Sequence, residues 1–78
     1  MKYYVTTTEQ VYNDGTLGEY MTKSDAQNTE KAARNIYYKA LGDINADLSP
    51  NGHAYALVEI RDSKGVIETS KLGEYVES

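Results

Sequence analysis

A chain of 78 residues with no cysteine, 40% hydrophobic and 26% charged, is composed like one ordinary globular unit and lacks any disulfide framework, thiolate metal site or thiol nucleophile. Eight Lys and Arg against twelve Asp and Glu give a net charge of −4, which works against phosphate backbones and anionic lipid as partners. There is no apolar run long enough to cross a bilayer, and Met1-Lys2-Tyr3-Tyr4-Val5-Thr6 lacks a signal-peptide core, so the expectation is a cytoplasmic protein with no nucleic-acid or membrane partner.

Tyr3 to Tyr12 is rich in Tyr, Val and Thr, residues that suit a pleated surface, and runs into Asn13-Asp14-Gly15, a hairpin-turn signal. A return strand is expected over Thr16 to Thr22. Ser24 with Gln27 three residues later forms a capping-box pattern, which predicts a helix starting near Asp25. Ala26, Thr29, Ala33, Ile36, Ala40 and Ile44 recur at helical spacing as its buried stripe, with Ala32, Tyr37 and Leu41 on the flanks. Gly42 is a possible left-handed cap, yet Ile44 continues the period to about Asn45.

Ser49-Pro50-Asn51-Gly52 breaks the helix. From His53 to Arg61 the pattern alternates, with Ala54, Ala56, Val58 and Ile60 on one face and Tyr55, Leu57, Glu59 and Arg61 on the other. The two alanines on the inner face leave room for a helix to come close. Asp62-Ser63-Lys64-Gly65 supplies a second hairpin loop, and Val66 to Thr69 begins its return strand. The expected fold is α+β, one domain over residues 1–78: a four-stranded antiparallel sheet from two hairpins with one helix packed on one face, in the order β-β-α-β-β. So small a core leaves a thin margin over a backbone entropy cost of roughly 1–2 kcal/mol per ordered residue, which favours self-association.

Leu17-Gly18-Glu19-Tyr20-Met21 recurs as Leu72-Gly73-Glu74-Tyr75-Val76. Both copies read as strand segments with a glycine bulge, and Leu72 to Val76 is then an ordered strand. Alternatively, the paired strand ends present Glu19, Tyr20, Glu74 and Tyr75 as a binding rim. All eight aromatics are tyrosine. Tyr3 and Tyr37 are the natural replacements for core Phe, each with its hydroxyl at an edge. Alternation puts Tyr4, Tyr55 and Leu57 on the sheet face that a single helix leaves open, so Tyr4, Tyr20, Tyr55, Leu57, Tyr75, Glu19 and Glu74 form the candidate interface.

No catalytic, cofactor or metal site is expected. Asp43, Asn45, Asp47 and Ser49 imitate the first ligand positions of a calcium loop, but Leu48 replaces the required glycine and Ala54 the bidentate Glu. His53 is the single histidine, expected as an exposed strand-end residue with no nucleophile or acid at a recognisable spacing.

Tyr3-Tyr4-Val5 opening a hairpin, a helix with Ala32-Ala33 and Tyr37-Tyr38, then Asn51-Gly52-His53 and a strand to Ser63-Lys64-Gly65, resembles small phage- or prophage-encoded proteins of Gram-positive bacteria. The resemblance covers most of the chain and implies a small non-catalytic binding protein. The expected partners are the chain itself, as a homo-oligomer through the open sheet face or strand edges, and a host protein. An inhibitor of a bacterial defence system, acting on a host protein or sequestering a nucleotide, is the alternative; a small enzyme is the third.

Overall fold

A computed structural model describes residues 2–49 and 52–73, with β1 (Tyr3–Asn13), β2 (Thr16–Gln27), α1 (Glu30–Ala46), β3 (His53–Asp62) and β4 (Gly65–Gly73) in that order. The strands form one antiparallel sheet ordered β2-β1-β3-β4. Two hairpins therefore lie side by side with β1 and β3 in the middle, and one helix covers one face. This is the expected β-β-α-β-β arrangement.

Both hairpins are set by their turns. Asn13 lies opposite Thr16, and between them Asp14 (φ 50°) and Gly15 (φ 79°) are both left-handed, the two-residue turn whose twist matches the flanking strands. In the second loop Asp62 lies opposite Gly65, and the Lys64 N–H donates to Asp62 Oδ1 at 2.8 Å. That side-chain bond replaces the left-handed pair of the first turn.

The helix begins at Glu30, not near Asp25, and β2 runs on to Gln27. Ser24 to Gln27 pair with Thr6 to Tyr3, so these polar residues satisfy the outer edge of β1 instead of opening a helix. Thr29 is the cap: its backbone is extended and its Oγ1 accepts the Ala32 N–H at 3.2 Å, while Glu30 places a carboxylate in the first turn. Ala26 is consequently an exposed strand residue, and Thr29 caps the helix where packing was expected. Gly42 lies inside the helix, which ends where the Asp47 N–H donates to the Ile44 carbonyl.

Val5 on β1, Ala56, Val58 and Ile60 on β3, and Ala33, Tyr37 and Ile44 on α1 make the buried core. Each large apolar side chain so buried contributes about 1.5–3 kcal/mol. Ala33 and Ala56 are both fully buried, the small residues that let helix and sheet approach. The Tyr37 ring is fully buried and its hydroxyl lies 2.6 Å from Ser70 Oγ on β4; Tyr3 packs against the core from its edge. Arg34 binds Glu30 at 3.0 Å and Glu68 of β4 at 3.2 Å, and these carboxylates, Glu30 first, raise the guanidinium pKa above its already high ordinary value.

These fixings draw α1 toward β3 and β4. Leu72 packs on the core and lies opposite Ala56, so the terminal segment is an ordered strand through Gly73; Glu74 to Val76 lie outside the described residues. Among the described residues, no helix is long and apolar enough to cross a membrane.

Candidate functional site

The sheet face opposite the helix is built in rows across the strands. Tyr20, Gln10 and Tyr55 form one row; Thr22, Thr8, Leu57 and Lys71 the next; then Ser24, Thr6, Glu59 and Thr69; then Ala26, Tyr4, Arg61 and Val66. The middle is a hydroxyl-rich field in which Thr8 and Thr22 lie 3.4 Å apart. Aromatic rings stand at its two ends.

Tyr20 and Tyr55 meet edge to face, 6.2 Å between centroids with planes at 87°. Between them in the row sits Gln10, only 4% exposed, whose Nε2 donates to the Gly18 carbonyl at 3.2 Å. Its Oε1 is buried with no hydrogen-bond partner among the described residues, a position that usually costs about 1–3 kcal/mol. At the other end Tyr4 is 41% exposed beside Arg61, forming a shallow depression with Ser24 and the second hairpin loop.

Of the candidate interface residues, Tyr4, Tyr20, Tyr55 and Leu57 share this face. Glu19 does not, because the strand alternation that brings Tyr20 outward puts Glu19 on the helix side. Glu74 and Tyr75 lie outside the described residues. The two Leu-Gly-Glu-Tyr copies also differ in backbone. Around Gly18 the β1–β2 register shifts, as a glycine bulge requires. The β3–β4 shift instead falls at Ile60 and Arg61; Gly73 stays paired with Tyr55 and has a left-handed φ of 73°. Among the described residues the register of the second copy is followed only as far as Gly73. Gly73 is needed for its positive φ and because a Cβ there would stand 2.3 Å from the Ala54 carbonyl oxygen.

On the helix side a cleft of ≈540 Å³ opens between α1 and β2. Thr7 and Glu9 form its floor, Lys23 and Asp25 one wall, and Ile36, Lys39, Ala40 and Asp43 the other. His53 closes one end. It is not the exposed strand-end residue expected: its side chain is 17% exposed, with Nδ1 2.8 Å from Asp47 Oδ2 and Nε2 3.2 Å from Glu9 Oε1. The two carboxylates sit on opposite sides of the ring and so do not converge on one point. Among the described residues, no group of three or more such side chains is placed to hold a metal ion.

The His53 N–H also donates to the Asp47 carbonyl at 2.8 Å, and Gly52 lies so close to Asp47 that a Cβ there would meet its carbonyl oxygen at 2.4 Å. The arrangement fastens the helix end to β1 and β3. Sequence reasoning missed it because Glu9 lies 44 positions from His53 and only the sheet brings them together.

No family model, curated protein or solved structure matches the chain.

Proposed function

We propose that this chain is a non-catalytic interaction protein of the small phage-encoded kind, cytoplasmic, which works as a homo-oligomer and docks a protein partner on the uncovered face of its sheet. The observation that carries the reading is that face: a ring pair at one end, Tyr4 at the other, and Leu57 within a field of threonines. Tyrosine gives wide contact area with little side-chain entropy to lose, and hydroxyl groups supply adaptable hydrogen bonds. Net charge −4 directs the surface toward protein and away from phosphate backbones.

The test joins light scattering on the purified chain with capture from host lysate, using wild type and the double variant Tyr4→Ser/Leu57→Ser. Both positions lie outside the buried core, so the fold is retained. The expected result is a wild-type oligomer and a captured protein that, once purified, binds wild type roughly tenfold or more tightly than the variant, the scale of a lost interface anchor. A strictly monomeric wild type at high micromolar concentration, or capture that the double variant leaves unchanged, refutes the proposal.

A further inference from the structure

We infer that two copies of this chain join along the outer edge of β2, antiparallel, about a two-fold axis at Met21. The inference rests on the self-association proposed above and names the surface that performs it. Among the described residues β2 has a ladder partner on one side only, and at 12 residues it presents a long row of backbone donors and acceptors to a further strand. The helix does not obstruct that edge, because α1 is tied to β4 through Arg34 and Tyr37 and leaves the cleft between itself and β2. From Glu19 to Ala26 every residue of β2 is exposed.

The residues of β2 are self-complementary in this register. Met21, at 65% the most exposed large hydrophobic residue described, stacks on its copy. Glu19 of each copy then faces Lys23 of the other on the helix side, and Tyr20 faces Thr22 on the open side. Opposite charges and an aromatic beside a β-branched residue are favourable cross-strand pairs, and the two-fold makes each of them twice. Shifting the axis to Lys23 or to Asp25 sets like charges directly opposite. An axis at Ser24 pairs Lys23 with Asp25 but leaves Met21 against Gln27 and shortens the overlap. The other sheet edge, β4, is shorter, at nine described residues against twelve.

A two-fold normal to the sheet keeps both helices on one side. The product is a continuous eight-stranded sheet whose two open faces merge into one docking surface, and whose two clefts merge into one groove between the helices.

Analytical ultracentrifugation of the full chain tests this with charge variants at the edge. Lys23→Glu should weaken the dimer at least about tenfold by setting Glu against Glu19 twice, and Glu19→Lys/Lys23→Glu should restore it to within about threefold. Concentration-dependent hydrogen exchange on the wild type is the second measurement, with β2 amides between Glu19 and Ala26 gaining protection on dimerisation; it keeps the test decisive should a variant misfold. A wild-type dimer indifferent to Lys23→Glu, rescue by Asp25→Lys in place of Glu19→Lys, or protection confined to β4 overturns the β2 assignment and leaves the proposed self-association standing. A wild type that never associates overturns both.

Discussion

Replacing Tyr37 with Phe tests whether this protein uses tyrosine as a core aromatic with a working hydroxyl. The ring is fully buried and its Oη lies 2.6 Å from Ser70 Oγ. Tyr37→Phe keeps the packing and removes that bond, while half-buried Ser70 loses its partner. The expected cost is about 0.5–1.5 kcal/mol, the net worth of such a bond. For a domain of this size that corresponds to a fall in Tm of about 3–10 °C. Ser70→Ala is the harsher change, about 1–3 kcal/mol, because it strands the Tyr37 hydroxyl inside the core. The double variant Tyr37→Phe/Ser70→Ala lies nearer wild type than Ser70→Ala alone, since neither polar group is then left without its partner. Urea denaturation followed by circular dichroism, at one fixed protein concentration, measures all four corners of the cycle. A Tyr37→Phe variant as stable as wild type, or effects that simply add, would refute the reasoning.

Three further outcomes are expected. Thr29→Ala costs about 1 kcal/mol by removing the helix cap, whereas Ser24→Ala stays within about 0.5 kcal/mol, and thermal melts of the pair decide which of the two capping patterns operates. Gly73→Ala, which forces a Cβ onto the Ala54 carbonyl at a left-handed φ, destabilises by about 1–3 kcal/mol on the same melts. His53→Ala leaves Glu9 and Asp47 without their shared partner and costs about 1.5–3 kcal/mol, with the first loss of hydrogen-exchange protection at Gly52 and His53.

The parts of the fold legible in the sequence are those whose cause is local. Asn13-Asp14-Gly15 names its own turn, and the alternation of Ala54, Ala56, Val58 and Ile60 names a strand and its buried face. The helix start was obscured because Ser24 and Gln27 carry the full capping-box pattern, whereas Thr29, followed three residues later by Ala32, caps through its hydroxyl alone. Ser24 to Gln27 have weak strand preference and are extended because Tyr3 to Thr6 need a ladder partner on that side. One signal was available: a first strand running eleven residues to its turn calls for a return strand as long. The open face carrying Tyr4, Tyr55 and Leu57 followed from alternation, but Gln10 beneath the ring pair did not, since its burial depends on Tyr20 across β2 and Tyr55 across β3. Glu9 and His53 share that cause, meeting through strand pairing and not through sequence spacing.

The strand order β2-β1-β3-β4 also determines how the chain must fold. Each hairpin closes across a short turn, but the seam between β1 and β3 joins segments as far apart as Val5 and Ile60. Closing so long a loop costs more entropy than closing either turn, so the seam is expected to form after the two hairpins, an order that φ-values along β1 and β3 would measure. Its register is strictly specified: a slip of one residue would turn Val58 and Ile60 out to solvent and bring Leu57 and Glu59 beneath the helix. Variants that weaken either turn are then expected to slow folding together with variants along the β1–β3 seam, since contacts made before the limiting step persist in its transition state.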